Sequence, residues 1–307
     1  MDEFGIIARY FAPLAGEGAF GLKDDAAVVP QHLGCDLVVT TDSVTEGVDF
    51  FGFDPPAAIA QKALRVNLSD LAAKGAQPAH YMMNLSLPAT VTPDWLAQFA
   101  DGLARDQKEF AITLLGGDTS ATDGPFSIAI TAFGFVPLGR MVTRSGAKAG
   151  DHVYVTGTIG DSGGGLAIFR REIHSLADED RDALVGRYRV PQPPVHFAAT
   201  LREIAHASVD VSDGLIADLG HMALASGVRI VVEGERVPVS AALKRLWGDN
   251  AVRRAVTAGD DYQVVFTGPP ELSGPFTRIG HIEAGEGVSF TLKGGEIQFP
   301  NPGYRHF

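Results

Sequence analysis

Apolar positions along the chain fall into two kinds of run, and each predicts a different element. From 55 to 75, Ala57, Ile59, Ala60, Ala63, Leu64, Val66 and Leu71 fill one broad side of a helix. Pro55 and Pro56 suit its first turn and Gly75 its end. Helices are also predicted over 3–15, from Thr92-Pro93 to about Glu109, near 178–188, over 195–206, and from Asp213 to about Ser226. Short runs rich in branched and aromatic residues predict strands at Ala26–Val29, Leu37–Thr41, 81–88, Ala111–Leu115, Phe126–Phe135 and Val153–Thr156. Further strands are predicted at Val209–Val211, Arg229–Glu233, Tyr262–Thr267, Thr277–Ile282 and Val288–Leu292. The small, polar segment TRSGAKAGD (143–151) divides the chain into regions 1–142 and 143–307. Both regions interleave strands with helices, as a distant internal duplication would, and no short-period repeat is visible.

Acidic residues recur where these apolar runs stop or turn: Asp24-Asp25, Asp42, Asp70, Asp118, Asp210/Asp213 and Asp260-Asp261. Aspartate disfavours strand and helix interiors, so one such placement reads as a cap or a turn. Their repetition points to a common destination, a cluster of hard cations around a phosphate. Asp70 stands inside an otherwise apolar helix and therefore needs a partner. LLGGDTS (114–120) follows a strand with Gly116 and Gly117, which let a backbone approach a phosphate while Asp118 holds a metal, although GGD is also a common turn. In DVSDGL (210–215), Ser212 is placed as a helix N-cap, which leaves Asp210 unexplained. The glycine run at 160–165 has the look of a phosphate cradle but lacks the Gly-Lys-Ser/Thr ending of a Walker loop and the full dinucleotide fingerprint.

Composition narrows the field. At 307 residues the chain exceeds the size at which single cores stop growing, so two domains are expected. No uninterrupted apolar stretch approaches the roughly 20 residues of a membrane helix. The start MDEFGIIARYF lacks the basic residues of a signal peptide, and a cytoplasmic location is expected. A net charge of -12 argues against nonspecific binding to nucleic acid or an anionic membrane, but not against ATP, because a metal supplies positive charge locally. The single cysteine, Cys35, excludes an internal disulfide and a cysteine metal site. The nine histidines form no HExxH pairing, and no GxSxG elbow is present.

The motifs DDAAVV (24–29), TTDSVTEGVDF (40–50), NLSDLAAKGAQP (67–78), GGDTS (116–120), GRMVTRSGAKAGD (139–151), VTGTIGDSGGGLAI (155–168), DVSDGLIADLGH (210–221) and AGDDYQVVF (258–266) follow one another in one order. In that order, over nearly the whole chain, the sequence closely resembles the thiamine-monophosphate kinase family. That family belongs with aminoimidazole ribonucleotide synthetases and selenophosphate synthetases. The resemblance implies an α/β (α+β) fold of two domains. An N-terminal ATP- and metal-binding domain pairs its sheet with a second subunit's to form a dimeric barrel, and a C-terminal mixed α/β domain follows. It implies phosphorylation of thiamine monophosphate by ATP with several Mg²⁺ ions, in a cytoplasmic homodimer. By position, Asp25, Thr40, Thr41, Asp42, Asp70, Asp118, Asp210 and Asp213 match the family's magnesium ligands. Gly117, Asp118, Arg144 and Ser212 match its ATP contacts, and Asp49, Asp260 and Tyr304 its substrate contacts.

The chain departs from the family pattern at three points. Lys23-Asp24-Asp25 replaces glycine-aspartate-aspartate, Asp49 stands where EGVHF carries histidine, and Asp260 stands where relatives often carry glutamate. At Asp49 a carboxylate suits a cationic thiazolium or an ordered water. The implied chemistry is direct in-line transfer with no side-chain base or nucleophile, since a phosphate monoester is already anionic near neutral pH. An aminoimidazole ribonucleotide synthetase, a metal-dependent phosphohydrolase and a nucleotide-binding scaffold are the alternatives. Cys35 is not in the glycine-rich setting of a selenophosphate synthetase.

Overall fold

The structure is a computed structural model and describes residues 2–172 and 176–305. It divides into two compact units, the first 1–71 with 76–141, the second 72–75 with 142–307.

In the first unit, residues 3–14 wind as one irregular helical stretch that begins as α1 (Glu3–Ile6) and passes through wider and tighter turns. A four-stranded sheet follows, built from β1 (Cys35–Thr45), β2 (Gln77–Pro88), β3 (Thr113–Thr122) and β4 (Ser127–Pro137) in the order β1-β4-β2-β3. Its pairs are antiparallel except β2 with β3, which run parallel because α3 (Pro93–Phe110) carries the chain back between them. Residues of β4 alternate between buried Ile128, Ile130, Ala132 and Val136 and half-buried Phe133 and Phe135, so one face of the sheet is packed and the other is open. On that open side the register sets Leu37 opposite Phe135 and Val39 opposite Phe133, and Leu37 and Val39 are exposed. The edge strands are β1 and β3, the latter bridged at Leu114 by Ala15, and no closed barrel occurs among the described residues.

Between β1 and β2 lies α2 (Pro56–Ala73), predicted with one apolar side. It is instead buried on every side over most of its length, Lys62, Arg65, Asn67 and Ser69 included. The polar residues are tolerated because they are bonded: Arg65 makes two hydrogen bonds of 2.8 Å to Asp106 of α3 and a third to Glu109. Three further expectations fail here and in the second unit. Ala26–Val29 forms no strand, because Val28 gains one backbone bond, to Gly18, and no ladder. The strand expected over Ala111–Leu115 does not stop there but runs through Gly116-Gly117-Asp118 to Thr122, since β2 offers a ladder along its length. Ser212 is no N-cap, because the next helix starts only after Gly214.

The second unit is a seven-stranded mixed sheet in the order β11-β10-β7-β9-β5-β8-β6. In chain order its elements are β5 (His152–Thr156), α4 (Asp161–Phe169), α5 (Asp178–Arg189), α6 (Ala198–Ile204), β6 (Ala207–Asp210), α7 (Leu215–Ser226) and β7 (Arg229–Glu233). Next come α8 (Ala241–Trp247), α9 (Ala251–Ala255), β8 (Val264–Gly268), β9 (Phe276–Glu283), β10 (Gly287–Leu292) and β11 (Gly295–Ile297). The short helices α8 and α9 and the terminal β11 lie outside the predicted set. Central strands are buried on both faces. Val153, Val155 and Val265 join Leu215, Leu219 and Met222 in one core, while Tyr154, Phe197, Phe266 and Phe276 form an aromatic layer with centroids 5.2–5.8 Å apart. Among the described residues no helix is long and apolar enough to cross a membrane.

Candidate active site

In the first unit the polar cluster forms where β1 meets α2. Asp70 finds its partner there, as Thr40 Oγ1 donates a hydrogen bond to Asp70 Oδ2. One turn earlier, Asn67 Oδ1 accepts the Asp42 backbone N–H at 3.0 Å, while Asn67 Nδ2 donates to the Ala63 carbonyl at 3.0 Å. Asn67 is fully buried and pins strand to helix, so Thr40, Asp42 and Asp70 share one locality. Thr41 is turned toward β4: its hydroxyl donates to the Ile130 carbonyl at 3.0 Å and accepts from Thr131 at 3.2 Å. Asp118 lies on edge strand β3, in the row Ser43–Ala129–Asn84–Asp118. Three strand spacings separate it from β1, about 14 Å along the sheet. Gly117, at φ 148°, is irreplaceable there on steric grounds, because a Cβ would stand 1.8 Å from the Met83 carbonyl oxygen.

Asp49 and Asp25 serve their own loops. The Asp49 carboxylate accepts the Thr45 N–H at 2.8 Å, and its carbonyl accepts from Lys62 Nζ at 2.6 Å. Lys62 is only 1% exposed, an anchor for the 45–50 turn. Asp25 is exposed and donates its backbone N–H to the Asp24 side chain.

In the second unit two loops knit together around the end of β6. Asp210 is buried at that end, and Val211 exchanges backbone bonds with Gln263 and Tyr262, each 2.8 Å. The Asp260 N–H donates to the Ser212 carbonyl at 2.8 Å, and the Tyr304 N–H donates to the Asp213 carbonyl at 2.9 Å. Asp210, Ser212, Asp213, Asp260 and Tyr304 are thereby gathered. Arg144 is exposed on a loop tied to β6 by a 2.9 Å bond from Ser208 N–H to the Thr143 carbonyl.

What shapes the 212–214 loop is Asp218, on the first turn of α7. Its Oδ2 accepts the N–H groups of Ser212, Asp213 and Gly214, all at 3.1 Å. Burial and the neighbouring Asp213 charge push its pKa up to about 7, against the pull of those three donors. Ligand atoms of Asp213, Asp218 and His221 lie within 4.8 Å of one another, a group able to hold a metal. A cleft of about 660 Å³ opens beside them, lined by Asp213, His221, Phe290, Phe299 and Tyr304 among others. Asn67, Lys62, Asp218 and His221 are all absent from the sequence-derived set. The one local signal was the spacing of Asp218 and His221, i and i+3 on a helix.

The glycine run is not a phosphate cradle. The N-terminus of α4 is already filled by Asp261, whose Oδ2 accepts the Gly160 N–H at 2.6 Å. A Cβ on Gly163, Gly164 or Gly165 would come within 2.7 Å of Ala258, Leu243 or Leu184, so these glycines serve helix packing.

Comparison with known proteins agrees with this architecture. Residues 23–136 match the model of the AIR synthase related protein N-terminal domain, and 148–293 match that of its C-terminal domain. The thiamine-monophosphate kinase of Salmonella typhimurium strain LT2 is 40% identical over 99% of this chain and 98% of its own length. A crystal structure of thiamine-monophosphate kinase from Stenotrophomonas maltophilia K279a, 37% identical, superposes with a TM-score of 0.86 over 96% of this chain and 98% of that one. AaThiL complexed with AMPPCP and TMP, 34% identical, superposes at 0.83 over 99% of this chain and 97% of that one. The chain belongs to the thiamine-monophosphate kinase family of AIR synthase related proteins.

Proposed function

We propose that the chain is an ATP-dependent thiamine-monophosphate kinase that forms thiamine diphosphate and ADP in thiamine diphosphate biosynthesis. The observation carrying this reading is full-length similarity to kinases of that name, one of them complexed with AMPPCP and TMP. A phosphate oxygen of thiamine monophosphate attacks the γ-phosphorus of ATP in line. The bond from that phosphorus to the β,γ-bridging oxygen breaks, and ADP leaves with the bridging oxygen. The attacking group has a second pKa near 6 and is largely deprotonated at neutral pH, so the residues need only position two anions and balance their charge.

The donor set suits magnesium. Asp42, Asp70 and Thr40 offer hard oxygens only, and the Thr40–Asp70 hydrogen bond brings two of them within mutual reach. Bound Mg²⁺ would neutralise phosphate oxygens and orient the transferred group. In this reading Asp25, Thr40, Thr41, Asp42, Asp70 and Asp118 hold ions in the first unit, and Asp210 and Asp213 hold ions in the second. Gly117 and Ser212 contact ATP, and Arg144 clamps a phosphate bidentately. Asp49, Asp260 and Tyr304 meet thiamine monophosphate, with the carboxylates suited to its cationic ring. We place the reaction in the cytoplasm, where ATP is supplied. The open apolar face of the first sheet supports a homodimer in which a second copy covers Leu37, Val39, Phe133 and Phe135 and completes a barrel.

Incubation with ATP, Mg²⁺ and thiamine monophosphate tests the activity. Thiamine diphosphate and ADP should form in equal amounts. Release of inorganic phosphate without thiamine diphosphate would identify a hydrolase, and ATP binding without product would leave only a scaffold.

A further inference from the structure

Asp261 combines features that a mere turn residue does not need. It is 3% exposed, and while Oδ2 accepts the Gly160 N–H at 2.6 Å, Oδ1 has no hydrogen-bond partner. Both neighbours are strained: Asp260 has φ 65° and Tyr262 has φ 51°, left-handed backbone that residues other than glycine seldom adopt. A buried carboxylate with an orphaned oxygen and two strained residues, three in a row, persist only where surrounding contacts over-determine them.

Backbone contacts of the strained residues run to the 211–213 loop. Asp260 N–H bonds the Ser212 carbonyl and Tyr262 N–H bonds the Val211 carbonyl, each at 2.8 Å. Tyr262 Oη donates to Asp260 Oδ1 at 3.1 Å, and a Cβ on Gly259 would lie 2.6 Å from the Ser212 oxygen. Helix α4 could be capped by a serine or aspartate at its own N-cap; Gly160 stands there instead, at φ 90°, where a Cβ would strike Ala255 at 2.4 Å. The cap comes from a residue about a hundred positions away, and the helix end thereby fastens the strained loop.

We infer that Asp261 is a positioning residue for the kinase reaction: anchored in the N-terminus of α4, it holds Asp260 in its strained conformation, presented to thiamine monophosphate beside Ser212. This rests on the reading of Asp260 as a substrate contact.

A double-mutant cycle tests it. Kinetics are measured for Asp260→Ala, Asp261→Ala and the double variant, with thermal unfolding of each. Asp260→Ala should raise the KM for thiamine monophosphate, and Asp261→Ala should raise it by a similar factor, about 10- to 100-fold, as for other residues that support a ligand contact. If Asp261 acts through Asp260, the double variant is no worse than the poorer single one, within about twofold. A role in folding alone would lower kcat by reducing active enzyme and leave KM unchanged. Multiplying KM effects in the double variant, or a parental KM in Asp261→Ala beside a raised one in Asp260→Ala, overturns the positioning role. A parental KM in Asp260→Ala overturns the substrate assignment itself, and the positioning role with it. Should Asp261→Ala not fold, Asp261→Leu, which keeps the buried volume but offers no acceptor to the Gly160 N–H, takes its place in the cycle with the same criteria.

Discussion

Asp70 on α2 accepts a hydrogen bond from the Thr40 hydroxyl on β1, and two roles compete for that carboxylate. As a purely structural acceptor it would be replaced by asparagine at little cost, since the amide oxygen can take the same bond. As a metal ligand it would not, because the charge is the point. Asp70→Asn should therefore keep its thermal midpoint within a few degrees while kcat falls by about 100-fold or more, the upper end of losses seen around metal sites. Full activity in that variant removes Asp70 from the ion site. The residue was legible because an aspartate in an apolar helix demands a partner, but Asn67 and Lys62 were not. Asn67 ties Asp42 to α2 across 25 positions and Lys62 ties the Asp49 carbonyl across 13, and nothing local in their sequence announces a partner so far along the chain. Asp218 hid for a different reason. Its three bonds go to backbone groups, which every sequence has.

Among elements, the pairing of α2 with α3 rests on a buried ion pair, Arg65 at 3% and Asp106 at 0% side-chain exposure. Arg65 also lies over the Phe110 ring, its guanidinium carbon 5.0 Å from the centroid. Asp106→Ala would leave a guanidinium in the interior with only the half-exposed Glu109 as a partner, so urea denaturation should show a loss of about 3–5 kcal/mol. A loss below 1 kcal/mol would mean that water reaches Arg65 freely. Helix α4 carries a pH signature. Burial foremost, and then the nearby Asp161 charge, raise the Asp261 pKa well above its ordinary 3.8, so the folded chain holds a proton that the unfolded chain releases. Stability from this group is complete below about pH 4 and is lost as pH rises toward the folded value. Asp261→Asn, which has no proton to lose, should gain on the parent as pH climbs from 4 to 8 in urea denaturation. An unchanging difference between the two would mean that the carboxylate is ionised in the folded chain. Periodicity revealed α3 and α7, whose apolar sides repeat, and the central strands, whose apolar runs are buried on both faces. It failed at 26–29 and at β3. A valine run becomes a strand only when a ladder is on offer, and Gly116-Gly117-Asp118 reads as a turn until β2 supplies one.

At the scale of the whole molecule, the first sheet leaves Val39 and Leu37 in solvent, opposite Phe133 and Phe135. Leu37→Lys, which puts a charge on this face three residues from the nearest proposed ion ligand, Thr40, should shift sedimentation from a dimer toward the 32.4 kDa monomer. A dimer that persists unchanged would place the subunit contact elsewhere. The two mixed α/β units could be read from interleaved strands and helices, whereas the openness of the first sheet could not. The same alternation of exposed and buried residues suits a sheet covered by helices and a sheet covered by another subunit. Strand order in the second sheet also has a consequence for how the protein comes into being. All of β1 to β4 has been made by residue 137, so the first sheet can close while the ribosome is still at work. In the second, β5 at residues 152–156 lies between β8 and β9, which begin at 264 and 276. Emerging early, β5 must remain without either neighbour until more than a hundred further residues have been added. Throughout that interval a valine-rich strand waits for both its partners, and a stop codon before 264 would leave this inner strand of the sheet with no neighbour on either side.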